Sequence, residues 1–215
     1  MLTDAQIREI QRCIGYTFKD RRFVQAAFTH SSYVNEHEAV GNERVEFLGD
    51  CVLNFLVGER LFLRDRTASE GKLSAQRAAI VSRSPLAEIV DKLGLIAYLQ
   101  VGAGVNKSAF EAKTRSDLLE AVIGAVYLDG GLDACRMILD AVYYPNVTPL
   151  RNYKGRLQNY AVSVHETVEY NTESDNGGYK SVVAVCGKKY VGSAKNKRDA
   201  EAAAAKAALE GLGIE

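Results

Sequence analysis

Three carboxylates, Glu43, Glu46 and Asp50, stand three and four residues apart in the run Asn42-Glu43-Arg44-Val45-Glu46-Phe47-Leu48-Gly49-Asp50. On an α-helix those spacings stack side chains on one face. The residues between and after them are apolar: Val45, Phe47, Leu48, Val52, Leu53, Phe55 and Leu56. Such a helix is mostly buried, yet it carries an acidic stripe. Like charges at these spacings repel, and burying them without a partner costs far more. A divalent cation held by oxygen ligands offsets both terms. Acidic residues on a helix more often form a solvated face; the apolar flanks argue against that here.

A second acidic pair follows. Ser116-Asp117-Leu118-Leu119-Glu120-Ala121-Val122-Ile123 places two carboxylates three apart at the head of an apolar helix. On its own this pair also suits a helix start, with Ser116 or Asp117 as N-cap and acidic groups in the first turn. Two apolar helices that each present an acidic face point to a shared metal site.

These motifs together resemble the ribonuclease III family. Asn42 to Asp50 is similar to that family's signature, Glu70-Gly71 to its Glu-Gly step, and Asp117 with Glu120 to its Asp-x-x-Glu. Upstream, Thr29-His30-Ser31-Ser32 is similar to its Thr-His-x-Ser element. The resemblance implies phosphodiester hydrolysis of double-stranded RNA by metal-activated water. It assigns Glu46, Asp50, Asp117 and Glu120 to the metal centre, with Glu43 and Glu70 as accessory acidic positions. Oxygen ligands favour Mg²⁺, with Mn²⁺ as a substitute. The products expected carry 5′-phosphate and 3′-hydroxyl ends with short 3′ overhangs, as in the processing or decay of rRNA and mRNA. The resemblance also implies a homodimer, in which Phe47 enters the partner subunit; the alternative for Phe47 is ordinary core packing.

The elements that must position these residues read as helices up to residue 145. Thr3 or Asp4 can cap a helix carrying Ile7, Ile10 and Ile14. Residues 21 to 29 form a short helix with Phe23, Val24 and Phe28 inward. The signature helix runs from about Glu43 to about Leu63, and another spans Leu73 to Val81. Ser84-Pro85 reads as a helix start and Gly94 as its stop. Helices at 117 to 129 and 132 to 143 flank Asp129-Gly130-Gly131. No run before residue 150 alternates with period two, so the expectation is an all-α endonuclease domain over 1–145.

Residues 146–152, within the Pro145 to Asn152 break, read as a linker. After it the pattern changes. Lys154 to Val162 is helical. Glu166 to Tyr170, Lys180 to Cys186 and Lys189 to Ser193 are strand-like, with a polar loop from Asn171 to Gly178. Asn196 to Leu212 is an Ala-rich helix. This α-β-β-β-α order over 153–215 resembles the double-stranded RNA-binding domain, a small α+β module. Lys195, Lys197 and Arg198 cluster at the start of the last helix. Cations are disfavoured there by the helix dipole, so an anionic partner benefits from them. The resemblance places phosphates on these residues and gives Gln158 a 2′-hydroxyl or base-edge contact. The family's Gly-Pro-x-His loop is replaced by Ser174-Asp175-Asn176-Gly177-Gly178-Tyr179, which predicts weaker or less discriminating duplex binding. Asn196 replaces the usual Ser but remains a good N-cap.

Composition narrows the rest. The chain has 215 residues, no Trp and a formal net charge of zero. Residues 1 to 148 carry 17 Lys and Arg against 19 Asp and Glu, a net of −2, and the remainder 10 against 8, a net of +2. Cys13, Cys51, Cys135 and Cys186 lie far apart among apolar residues, so they read as reduced, buried thiols rather than a zinc site. His30 reads as a structural hydrogen-bonding residue, and nothing places His37 or His165 near the chemistry. No signal peptide and no membrane-length apolar run is evident, so the cytoplasm is the simplest compartment. Two other readings compete. One is a non-catalytic double-stranded RNA-binding protein with a decayed nuclease domain, which should have lost an acidic position. The other is an all-α phosphohydrolase of small nucleotides, which lacks a convincing His-Asp pair.

Overall fold

The computed structural model describes residues 1–147, 152–175 and 177–214. The chain divides into two compact units, Met1–Leu150 and Arg151–Glu215.

The first unit is helical. Helix α1 (Asp4–Ile14) is capped by Thr3 in a capping box with Gln6 and buries Ile7, Ile10 and Ile14. Helix α2 (Arg21–Ala27) starts at Asp20 and stops at Phe28. Beyond it, Thr29 forms an isolated parallel bridge with Gln100. A short α3 (Ser31–Val34) leads to α4 (Glu43–Arg64), the signature helix. Helix α5 (Glu70–Val81) begins one turn earlier than the apolar pattern suggests, because Ser69 accepts from the Lys72 amide and starts the helix there. Helix α6 (Arg83–Lys92) starts after Ser82, not Ser84. Pro85 then falls at its third position, where a missing N–H is still harmless because the first-turn amides have no intrahelical partner.

Helix α7 (Ala112–Ile138) begins after Glu111, so Ser116 and Asp117 lie inside the helix and not at its cap. Ser116 is buried and its hydroxyl donates to the Lys113 carbonyl at 2.7 Å. The Asp129-Gly130-Gly131 break is real: Gly131 has φ 75° and ψ −171°, a conformation that glycine adopts without steric penalty. Past it the chain doubles back, with Cys135 Sγ 3.6 Å from the Ile123 carbonyl oxygen. The Asp129 carboxylate pins the break to the first helices. It accepts from Tyr16 Oη at 2.6 Å and from the Lys19 and Asp20 amides at 2.8 Å each. A π-helical stretch, Leu139–Tyr143, and a short α8 (Tyr144–Asn146) follow. Pro145 and Asn146 are therefore helical, which moves the break expected from Pro145 onward. Residues 148–151 of the expected linker lie outside the described residues.

The second unit is an antiparallel three-stranded sheet, in the order β1-β2-β3, packed under two helices. Helix α9 (Tyr153–Ser163) precedes β1 (Glu169–Asp175), β2 (Gly178–Val185) and β3 (Lys188–Ala194), and α10 (Lys197–Gly211) closes the unit. Asn196 caps α10 by accepting from the Asp199 amide. The polar loop expected from Asn171 is instead strand. Asp175 pairs directly with Gly178, so two residues join β1 to β2, and Gly177 has φ 81°. Asn176 lies outside the described residues. The inward position Thr172 is polar and hydrogen-bonded to Ser181, which hides the alternation that marks a strand.

Of the four thiols, Cys135 is buried, Cys13 and Cys186 are half-buried, and Cys51 is exposed on α4. The expectation of a buried thiol fails at Cys51 because α4 buries only one side. Val45, Val52, Leu53 and Leu56 are buried, while Phe47, Phe55, Phe62 and Leu63 are 74%, 54%, 65% and 62% exposed. Among the described residues no helix is long and apolar enough to cross a membrane.

Candidate metal centre and nucleic-acid interface

Helix α4 is set in place from its N-cap, Asn42. The Asn42 amide donates to the Thr29 carbonyl at 2.9 Å, and Thr29 Oγ1 donates to Gln25 O at 2.7 Å. His30 Nδ1 lies 2.9 Å from Ser32 Oγ, and Ser32 Oγ accepts from the Gly102 amide at 3.1 Å. Thr29 thus anchors the start of the signature helix, while His30 makes the structural hydrogen bond expected of it, to Ser32.

Helices α4 and α7 then cross with almost no space between them. A Cβ on Gly49 would lie 1.8 Å from the Glu120 carbonyl oxygen and 2.8 Å from the Gly124 amide. Only glycine fits such an approach. It puts the acidic face of one helix against that of the other. Glu46, Asp117 and Glu120 each offer a carboxylate oxygen, and these oxygens lie within 4.8 Å of one another. All three side chains are half-buried.

Electrostatics match that crowding. Burial pushes the Glu120 carboxyl up to about 8, and the charges of Asp50, Asp117 and Glu46 add to the shift. Burial also raises Glu46, with Asp117 the next cause. Like charges forced together in a partly dry cleft disfavour ionisation. Lys113, one turn before Asp117, relieves part of this: its Nζ lies 2.6 Å from Asp117 Oδ2. Its hydrogen bond to Asp117 raises the Lys113 pKa. Three hard oxygen donors around a small gap suit a divalent cation of the Mg²⁺ or Mn²⁺ kind.

The other acidic positions stand apart from this group of three. Asp50 is exposed and its Oδ1 accepts from Asn54 Nδ2 at 2.7 Å, although its charge is felt by Glu120 and Glu46. Glu43, also exposed, adds to the shift of Glu46. Glu70 is the first residue of α5 and accepts from Ser74 Oγ at 2.8 Å. Phe47 is not core. Lys113 was missed by the sequence reading; its place four residues before Asp117, at salt-bridge spacing on a helix, was the available signal.

In the second unit Gln158 is exposed on α9, and Lys195, Lys197 and Arg198 are exposed at the start of α10. Three cations beside free helix amides form a surface suited to phosphate oxygens.

A half-buried carboxylate cleft between two crossing helices, followed by an α-β-β-β-α module, is the architecture of a nuclease for duplex RNA. The ribonuclease-III-like family profile matches residues 20–147 and the double-stranded RNA binding motif matches residues 153–212. Ribonuclease 3 of Chloroflexus aggregans is 36% identical, over 95% of this chain and 96% of that protein. Ribonuclease 3 of Pseudomonas fluorescens is also 36% identical, over 97% and 96%. The nuclease domain of ribonuclease III from Campylobacter jejuni superposes with a TM-score of 0.61 at 34% identity, covering 65% of this chain and 97% of that domain. The chain belongs to the ribonuclease III family, as an endonuclease with a double-stranded RNA-binding domain.

Proposed function

We propose that the protein hydrolyses phosphodiester bonds of double-stranded RNA at the cleft between α4 and α7. The observation that carries this reading is the convergence of Glu46, Asp117 and Glu120. With Asp50 they are assigned the metal, Mg²⁺ by preference and Mn²⁺ as substitute. Bound there, the ion supplies an ionisable water at neutral pH and positive charge beside the leaving 3′ oxygen. Glu120 must give up its proton to become a ligand. Lys113 holds Asp117 and neutralises one charge. Asp50, whose carboxylate accepts from Asn54, would add a further oxygen donor to the set. Glu43 and Glu70 act as outer acidic groups toward water or RNA.

The products are 5′-phosphate and 3′-hydroxyl ends. One cleft cuts one strand, so two copies related by a twofold axis account for staggered cuts with short 3′ overhangs. The Campylobacter nuclease domain has a region involved in dimer formation. Here the exposed aromatic face of α4, with Phe47 at its head, suits the same use. Gln158 meets the minor groove, and Lys195, Lys197 and Arg198 meet phosphates. The nuclease domain is assigned to 1–145, the linker to 146–152 and the RNA-binding domain to 153–215, in a cytoplasmic protein that matures or degrades transcripts.

The test is cleavage of a long RNA duplex with Mg²⁺ and with EDTA, with end-mapping of the fragments. Glu120→Gln keeps shape and removes a ligand charge, so cleavage should fall strongly while duplex binding persists. Turnover by this variant equal to the parent removes Glu120 from the site.

A further inference from the structure

Lys154 and Glu201 join the three parts of the second unit. Lys154 on α9 donates through Nζ to Glu201 Oε2 on α10. The other Glu201 oxygen lies 3.3 Å from Thr172 Oγ1 of β1, which is 2.9 Å from Ser181 Oγ of β2. The Lys154 ammonium also lies over the Tyr170 ring, 4.8 Å from its centroid. The Glu201 side chain is only 14% exposed, and Ser181 is fully buried. The Lys154 hydrogen bond, with a smaller contribution from Lys197, holds Glu201 below the ordinary carboxylate range. The Lys154 side chain is 41% exposed, so the charge attraction is partly screened; what the pair supplies is geometry, because it ties both helices to the sheet.

Its place along each helix is informative. Gln158 is four residues after Lys154 on α9, and Lys197 is four residues before Glu201 on α10. Residues four apart share a helix face. The bridge therefore sits one turn from the minor-groove candidate on one helix and one turn from the phosphate candidates on the other. Domains of this kind touch two successive minor grooves and the major-groove phosphates between them. The tight β1–β2 turn, with Asp175 paired to Gly178, leaves no long loop for a second minor groove. Register on the duplex then depends on the separation of α9 and α10.

We propose that Lys154 and Glu201 are positioning residues for duplex recognition. Their bridge fixes the distance from Gln158 to Lys197 and Arg198, so the minor-groove and phosphate contacts form together. The proposal rests on the RNA-binding reading of those two helix faces.

The experiment is a salt titration of affinity for a duplex RNA of about 20 base pairs, long enough for a full footprint. The full chain is used in EDTA, so the duplex is not cut. Glu201→Gln keeps the side-chain shape and removes a negative charge beside Lys197. Simple electrostatics predicts tighter binding. The bridge predicts binding weakened about five-fold or more, with a salt dependence shallower by about one phosphate contact. Thr172→Val, which leaves the ion pair intact, should show a smaller loss of the same kind. Unchanged or tighter binding by a cooperatively folded Glu201→Gln protein overturns the proposal. If that variant fails to fold, unchanged binding by Thr172→Val overturns it. A Lys197→Ala/Arg198→Ala protein is run alongside. Undiminished binding there sinks the RNA reading and the bridge with it, whereas a loss there with full affinity in Glu201→Gln sinks the bridge alone.

Discussion

A Cβ placed on Gly124 would lie 2.1 Å from the Val45 carbonyl oxygen. Val45 sits beside Glu46, and Gly124 one turn after Glu120, so this close backbone contact, like that of Gly49 with Glu120, adjoins the carboxylates. Gly124→Ala and Gly49→Ala should each cost about 1–3 kcal/mol or more, the usual penalty for overpacking. Both should also spread the ligands and reduce the rise in melting temperature produced by a divalent cation. Thermal unfolding with and without Ca²⁺ measures both effects. A parent-like melt and cation shift in either variant would show that the close crossing does not shape the site.

The Glu120 carboxyl, raised to about 8 by burial and by Asp50, Asp117 and Glu46, has two measurable consequences. A carboxyl whose folded pKa lies above its unfolded value favours the fold fully only below the unfolded value. That stability is lost as pH rises toward the folded pKa. Between about pH 5 and pH 8 the metal-free protein should therefore grow less stable through this group, and a divalent cation should restore the difference. At pH 7 cation binding should release a proton. Calorimetric titration with Ca²⁺ in two buffers of different ionisation heat reads that release. Its persistence in Glu120→Gln would assign the proton elsewhere.

Phe47→Ala tests assembly. If the exposed Phe47 ring fills a pocket on a second copy, truncation should weaken association by about 2 kcal/mol or more, as at an interface hot spot. Sedimentation across a concentration series compares the two proteins. A parent protein that stays monomeric at micromolar concentration would count against the dimer as a whole.

Lys197→Ala with Arg198→Ala should weaken binding to unrelated duplexes about equally, because phosphate contacts carry affinity and little sequence information. The slope of log affinity against log salt should fall by up to roughly two contacts. Removing the chain from Asn152 onward should abolish tight binding at physiological salt yet leave some cleavage at low salt. Complete loss of low-salt cleavage in a folded truncated protein would place part of the chemistry in the second unit.

Much of this was legible in the sequence, for identifiable reasons. The carboxylate spacing on α4 and α7 survives translation into space because helix geometry fixes it. Glu46, Asp117 and Glu120 do converge. The closeness of that convergence was not legible, since it depends on Gly49 meeting the backbone of Glu120 across two helices. Helices α5 and α7 begin a turn or more before their apolar runs, after Ser69 and Glu111, where the apolar pattern carries no signal, and α6 begins after Ser82, two residues ahead of the Ser84-Pro85 signal. Strand β1 (Glu169–Asp175) overlaps the expected Glu166 to Tyr170 strand only at its first two residues, and the rest of it is hidden for another reason. Its inward Thr172 is polar and satisfied by Ser181 and Glu201, so no apolar alternation advertises it. The pair Asn176-Gly177 was a strong hairpin signal that went unused. Phe55 reads as core because apolar residues ordinarily are, whereas family resemblance reads Phe47 as a partner contact; the fold leaves both rings exposed.

The tight turn between β1 and β2 also makes this domain a convenient recipient for engineering. Strand pairing ends at Asp175 and Gly178, both away from the packed cluster around Leu157 and Val183. Extra residues inserted there would disturb no packed side chain. Each doubling of a flexible loop adds only about 0.6 kcal/mol of closure cost. A grafted segment bearing Gly-Pro-x-His would give the domain a further reach along the duplex at little cost in stability. The length of RNA that the protein grips would then be adjustable at one hairpin, independently of the catalytic cleft.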